Sequence, residues 1–534
     1  MQLSLTVEDA DGAVLDSADW ELSVDVQPVD ELEETCTVRV RYNGSVPMEA
    51  RIRAELPLPI AADEEPYWLV PGVFYGANRD EECTRLYPRY VIGRSDIDAL
   101  ESDHWAFRAD RAATPVVFSW GRTGGFALDV AADTSLGHSG LGFGAGPERP
   151  ASLWVSLPYR EEPFSYVGEP RGVEPLAATY RWEPGEAHEI RIGRWTLPAD
   201  RTSYVPVLRR LRERQRAAVP PVRPWVDVTT AAELAAYGLW RWHYRPDPAV
   251  LIETALFDRE LAGDVGQHGD RHAMHVAWVS GIPYAHALLL HGRRAGNAEY
   301  VEAGIAVIDH ITSSLTPVGT FHGTWYAEHG WSQSWTPVRG GLHARTLAEA
   351  TLFTVRALAA EAEQHPGWEA AARSNLEFAI AAQEAEGNFG SLYHRDSGEV
   401  LSRRGDAGLT WIAALAEAYE LFGDERYLDA ARRGGGYYAS SVVDGTLCGA
   451  PEDVDLAPTS EDGYAAVISY VALHRVDPQD RWVELARWAA EWMLTFGTAT
   501  TSASTSTPSS APTASAAGAP TTPARRTSTS TTTA

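Results

Sequence analysis

The chain has 534 residues, enough for two or three domains, and its 44% hydrophobic and 22% charged content is that of an ordinary globular protein. A formal net charge of −28 argues against nucleic acid or an anionic membrane as main partner, and three widely spaced cysteines make neither a disulfide framework nor a zinc pattern. The start, Met1–Asp9, lacks a basic n-region and an apolar h-region, and no apolar run reaches membrane-spanning length, so a cytoplasmic protein without a membrane partner is expected.

Residues 1–200 read as an antiparallel β-sandwich. Leu3–Val7, Trp20–Val26, Thr35–Tyr42 and Glu49–Leu56 alternate apolar and polar residues, separated by turns such as Asp11-Gly12 and Asn43-Gly44. The pattern resumes at Pro115–Ser119, Gly125–Val130, Ser152–Ser156, Ala178–Trp182 and Glu189–Thr196. Between the two series, Pro66–Arg79 is dense in aromatics. It reads as a core strand and turn, or as a loop that adds stacking surface elsewhere.

Residues 201–225 read as a linker, with an Arg-rich helix over Tyr204–Ala217 and a stop at Pro220-Pro221 and Pro224. Residues 226–496 read as helical hairpins, led by a helix over Thr229–His243 that Thr229 or Thr230 would cap. A small-residue-rich helix, a short polar turn and an aromatic-anchored second helix recur four times. The turns are Gly296-Asn297, His365-Pro366-Gly367, Gly423-Asp424 and Asp477-Pro478, and the anchors are Tyr300, Trp368, Tyr427 and Trp482. Stacked hairpins place these bland turns on one face. The other face then collects the long connections Asp264–His275, Phe321–Arg345, Gly387–Gly408 and Asp444–Gly463, where binding and catalytic groups are expected.

Residues 497–534 contain only Gly, Thr, Ala, Ser, Pro and Arg. They read as a low-complexity disordered tail, or as a frame-shifted product of a GC-rich gene, since all six types have C or G at the middle codon position. The abrupt start after the helical Glu491–Phe496 favours the frame shift, and with it a longer natural protein.

A sandwich followed by hairpins with Trp-rich loops, and phrases such as Gly423-Asp424-Glu425-Arg426-Tyr427-Leu428, resemble the six-hairpin glycosidase superfamily. The resemblance implies an (α/α)6 toroid with its active site in the mouth at one end. Only four hairpins and a leading helix are visible, so the toroid is expected to be incomplete at the C-terminus.

On the loop face, Asp270 and His272 lie in the first long connection. The second holds Trp325, Tyr326, Glu328, His329, Trp331, Trp335, Arg339 and His343, and three tryptophans in eleven residues beside a carboxylate suit the flat faces and hydroxyl rims of sugars. The tryptophans equally suit plugs of the loop core. Arg403, Arg404 and Asp406 end the third connection, and Glu461 and Asp462 end the fourth. Asp406, Glu461 and Asp462 each precede a helix, where an N-cap is the plainer use of a short acid.

Glycoside hydrolysis needs two carboxylates across the scissile bond, and Glu328 with Asp406 are the preferred acid/base pair, with Asp270 and Glu461 behind them. Burial against tryptophan would raise the pKa of Glu328. His272, Trp325, Tyr326, His329, Trp331, Arg339, His343, Arg404 and Asp462 are the expected substrate contacts, on an oligosaccharide or polysaccharide-derived substrate, with no cofactor and no metal. Two alternatives stand beside the hydrolase. One is a polysaccharide lyase or sugar epimerase, in which Tyr326 and His329 or His343 move a proton. The other is a carbohydrate-binding protein or an inactive fragment.

Overall fold

The computed structural model describes residues 2–61, 64–147, 149–168, 171–218, 223–253 and 271–497. The polypeptide forms two compact units. The first is Met1–Pro221 with Asp444–Thr446 and a segment starting at Glu491; the second is Val222–Val443 with Leu447–Ala490.

Two antiparallel sheets build the first unit. One runs in the order Ser4–Glu8, Met48–Pro57, Arg149–Leu157, Gly140–Gly146, His104–Arg108, with Tyr180–Trp182 also pairing Met48–Pro57. The other runs Trp20–Pro28, Glu33–Tyr42, Ala187–Leu197, Gly125–Val130, Val116–Trp120, Tyr67–Val70, Phe74–Tyr75. Alternation along these strands sends Val38, Val40, Ile52, Ala54, Leu128, Leu153, Val155 and Ile192 into one shared core.

The strand Gly140–Gly146 escapes sequence patterning because glycines, in place of polar residues, alternate with its apolar Leu141, Phe143 and Ala145. A Cβ at Gly142 would fall inside the ring of Trp154 on the neighbouring strand, so the aromatic fills the space that two ordinary side chains would share. Tyr67–Val70 is a core strand, and Trp68 is fully buried and stacks on Phe143 with centroids 4.8 Å apart.

The Arg-rich helix α1, Tyr204–Ala218, packs within the first unit instead of standing free as a linker. Val207 and Leu211 are buried, Arg214 donates to both carboxylate oxygens of Glu33 at 2.6 Å, and Arg210 pairs with Asp30.

The second unit opens with α2, Val228–Gly238, which continues into one π-helical turn over Leu239–His243. Its cap is Asp227, whose carboxylate accepts from the amides of Thr229 and Thr230, so the expectation of a threonine cap is corrected. Four hairpins follow. They are α3 Gly281–Ala295 with α4 Ala298–Thr312, α5 Ala344–Ala360 with α6 Pro366–Ala382, α7 Trp411–Phe422 with α8 Glu425–Tyr437, and, after the short α9 Ala439–Asp444, α10 Ser460–Val476 with α11 Asp480–Met493.

The first helices α3, α5, α7 and α10 pack successively against one another, and α2 packs on α3. The four aromatic anchors are all buried in the second helices. Gly296 and Gly423 end their helices in the left-handed conformation (φ 69° at each), and Asn297 and Asp424 cap the helices that follow. Among the described residues, no helix is long and apolar enough to cross a membrane.

Candidate functional site

The helices α3, α5, α7 and α10 all begin at the face that receives the long connections, and their first turns carry the positive ends of the helix dipoles there. Polar side chains gather at and just before these starts. The strand Ala273–His275 precedes α3, the strand Gly341–His343 runs directly into α5, and Glu452 lies in the connection that leads to α10.

Glu452 is buried with His275. Its carboxylate accepts from the Trp335 amide (2.6 Å) and from the Thr346 hydroxyl, and its Oε1 lies 3.3 Å from His275 Nε2. The Ala277 amide donates to His275 Nδ1 (3.2 Å), which leaves Nε2 to carry the proton that faces Glu452. Burial alone would raise the Glu452 pKa, but the adjoining imidazoles and hydrogen bonds outweigh it and hold the carboxyl down at about 2. Glu452 is therefore a fixed anion.

Beside this pair stands His343, also buried. Its Nε2 donates to the Gly449 carbonyl (3.1 Å), and its Nδ1 has no hydrogen-bond partner. Burial pushes this imidazole below its ordinary value, against the opposing pull of Glu452, so it is neutral near pH 7. A neutral imidazole with one bare ring nitrogen is equipped to take a proton.

Arg345, two residues on and also buried, pairs with Glu461 and places Nε 3.4 Å from Glu349 Oε2; Tyr464 donates to Glu349 Oε1 (3.2 Å). Trp278, Trp335, Tyr464 and Tyr284 are partly open to solvent along this cluster. Trp278 and Trp335 meet edge to face (5.7 Å), and His275 lies 5.2 Å from the Trp335 ring. Arg271 pairs with the buried carboxylate of Glu253 (2.9 Å) and lies 5.4 Å from the Trp335 ring. The arrangement is a charged, imidazole-bearing floor with an aromatic rim.

The expected residues distribute unevenly over this geometry. His343 is in the floor, and Glu461 holds Arg345. Neither Glu461 nor Asp462 precedes α10 as an N-cap: the cap is Thr459, and Asp462, inside the first turn, closes a capping box with it and also accepts from the Ala450 amide (2.7 Å); burial lifts its carboxyl to about 6. Asp406 does not cap. Its carboxylate accepts from Ser441 Oγ (2.8 Å) and the Cys448 amide (3.1 Å), and burial lifts it to about 7.

Glu328 contradicts the expectation that tryptophan buries it. It is exposed at the tip of the hairpin Thr324–Tyr326/Gly330–Ser332, because a short turn between two three-residue strands projects its side chains outward. His329 beside it is exposed and stacks on Tyr326 (4.6 Å), and His272 and Arg339 are exposed too. Trp331 lies against His310 and His322, with Trp325 on the paired strand, so this pair of tryptophans joins a separate aromatic group from Trp335. Arg403 is committed to the carbonyls of Asn388 and Ala382 and to Glu384; Arg404 is half-buried. The candidate Asp270 lies outside the described residues. No group of three or more His, Cys, Asp or Glu side chains among the described residues is placed to hold a metal ion.

Sequence reasoning passed over Trp278, Glu349, Glu452 and Tyr464 as site residues, and placed His275 and Arg345 on the loop face without selecting them for the site. One signal was there: the residues just before or in the first turn of α3, α5 and α10 are polar or aromatic in each copy of the repeat.

Asp406 supplies a pH test. Its folded carboxyl holds its proton up to about 7 against an ordinary 3.8, so the native state binds that proton more tightly than the unfolded chain. Its contribution to stability therefore falls as pH rises between those values. Asn reproduces the protonated group, accepting from Cys448 and donating to Ser441. From pH 5 to pH 8, Asp406→Asn should gain roughly 2.5 kcal/mol on the parent in urea unfolding; a difference that does not change with pH would refute the buried, protonatable carboxyl.

No family model matches the chain, and no curated protein matches it. Solved structures with partial likeness include a polysaccharide lyase, at 8% identity with a TM-score of 0.42 over 93% of this chain and 76% of that one. A cellobiose 2-epimerase from Bacillus thermoamylovorans shows 10% identity and a TM-score of 0.39 over 50% of this chain and 74% of its own. An unsaturated glucuronyl hydrolase from Bacillus sp. GL1 shows 16% identity and a TM-score of 0.33 over 50% and 68%.

Proposed function

We propose that the chain is a carbohydrate-active enzyme, a β-sandwich joined to helical hairpins of the (α/α)6-toroid type, whose second unit carries out proton transfer on an oligosaccharide or polysaccharide-derived substrate. The observation that carries this reading is the buried, neutral His343 with its bare Nδ1, set beside the anionic Glu452 and below the aromatic rim of Trp278, Trp335 and Tyr464. Aromatic faces with flanking hydrogen-bonding groups suit a sugar ring. A lone imidazole base suits abstraction of a ring proton, as in a lyase or epimerase.

Glycoside hydrolysis is the second reading. Asp406 and Asp462 favour it, since both carboxyls hold protons nearer neutrality than ordinary acids do. The pair Glu328 and Asp406 is the weaker form of that reading, because Glu328 is exposed while Asp406 is buried.

A panel of neutral and uronic-acid oligosaccharides, each incubated with the full chain, separates the reactions. A lyase yields an unsaturated product absorbing in the ultraviolet. An epimerase yields a new sugar proton signature, with solvent deuterium incorporated at one carbon. A hydrolase yields new reducing ends without either signal. Binding without turnover across the panel would overturn the enzymatic reading and leave a carbohydrate-binding protein.

A further inference from the structure

The segment Cys448–Ala450 is held on both sides of Gly449 by buried acids. The Cys448 amide donates to Asp406 Oδ2 (3.1 Å), and the Asp406 amide donates back to the Cys448 carbonyl (2.7 Å). The Ala450 amide donates to Asp462 Oδ1 (2.7 Å). Each acid is itself anchored: Asp406 accepts from Ser441 (2.8 Å), and Asp462 accepts from both the amide and the hydroxyl of Thr459 (2.7 Å each). Between the two anchors, Gly449 takes a left-handed backbone (φ 91°), which an L side chain rarely adopts, and its carbonyl accepts from His343 Nε2 (3.1 Å).

We propose that Asp406 and Asp462 are positioning residues: they clamp the Cys448–Ala450 segment so that the Gly449 carbonyl fixes His343 as the Nε2–H tautomer and keeps Nδ1 bare. An imidazole has one proton to place between two nitrogens, and a fixed carbonyl acceptor at one of them decides which keeps it. The clamp rests on the reading of His343 as the base. It gives two candidate catalytic acids a different task, because both carboxylates spend their oxygens on main-chain amides and neighbouring hydroxyls.

The test is ring-nitrogen NMR on the full chain labelled with 15N-histidine, with the His343 signals assigned by their loss in His343→Gln. The parent should show a protonated Nε2 and a bare Nδ1; a protonated Nδ1 overturns the proposal. Asp406→Ala and Asp462→Ala each remove one side of the clamp and should shift the tautomer ratio by roughly tenfold, the worth of one hydrogen bond. Asp406→Asn and Asp462→Asn keep a carbonyl for the segment amides and should restore the parent ratio. A folded alanine variant with the parent ratio overturns the clamp. Should both alanine variants fail to fold, a protonated Nδ1 in either asparagine variant overturns it instead. The readout needs no substrate, so failure of the clamp and failure of the carbohydrate reading appear in separate experiments.

Discussion

Replacing Glu452 with alanine should lower the free energy of unfolding by about 3–5 kcal/mol, since the donors that share this carboxylate lose their acceptor at about 1–3 kcal/mol for each one left unsatisfied. The change strands three groups at once. His275 loses the carboxylate facing Nε2, the Trp335 amide loses its acceptor, and the Thr346 hydroxyl must turn elsewhere. His275 and Thr346 do not regain water, since both are buried with the carboxylate. The pH dependence has a defined sign. The Glu452 carboxyl sits at about 2 in the folded chain against an ordinary 4.5, so its stabilisation is present above pH 4.5 and is lost as pH falls toward 2. Urea unfolding at pH 7 and pH 3 measures both effects. A loss below 1 kcal/mol at pH 7 would mean that the pair contributes little.

Replacing His343 with alanine should reduce kcat by about 10²–10⁴-fold on whichever panel substrate turns over, the range for loss of a general base, with KM little changed. The parent should lose activity on the acid side only below the ordinary histidine value, because burial lowers the His343 pKa and the base works in its neutral form. A parallel fall in kcat and binding, or an unaltered kcat, would remove His343 from the role of base. His275→Ala is the informative companion. Its bare nitrogen is already engaged by the Ala277 amide, so its loss should act through stability and leave a weaker signature in kcat at permissive temperature.

The hairpins were legible because short-range chemistry encodes them. Gly296 and Gly423 stop helices, Asn297 and Asp424 start the next ones, and the anchors Tyr300, Trp368, Tyr427 and Trp482 repeat in phase. The alternating strands were legible for the same reason, and Gly125–Val130 falls where its pattern puts it. What stayed hidden depends on partners far away in the chain. Nothing local to His275 announces Glu452, and nothing in the acidic run Glu452–Asp455 says which member is buried. The burial of Glu328 was inferred from its tryptophan neighbours in sequence, yet adjacent residues in a hairpin tip do not share an environment. The strand Gly140–Gly146 was hidden in a different way, since its fit comes from the bulk of Trp154 across the sheet.

The first unit is discontinuous in sequence, and that bears on the order in which a ribosome can deliver it. Tyr67 donates to the carbonyl of Gly445 (2.7 Å), the hydroxyl of Tyr75 meets that of Thr495 (2.7 Å), and the Tyr75 ring stacks on Phe496 (4.3 Å). Both tyrosines are buried, and burial lifts their pKa values far above the ordinary tyrosine range. During translation, the strands bearing Tyr67 and Tyr75 emerge early, but Gly445 emerges only after Val222–Val443 of the second unit, and Thr495 and Phe496 only after Leu447–Ala490 as well. The nascent chain therefore lacks these long-range partners of its two tyrosines through most of its synthesis. Residues Gly445, Thr495 and Phe496 act as late fasteners, so the first unit closes only once the segment that starts at Glu491 has been made, long after its own strands.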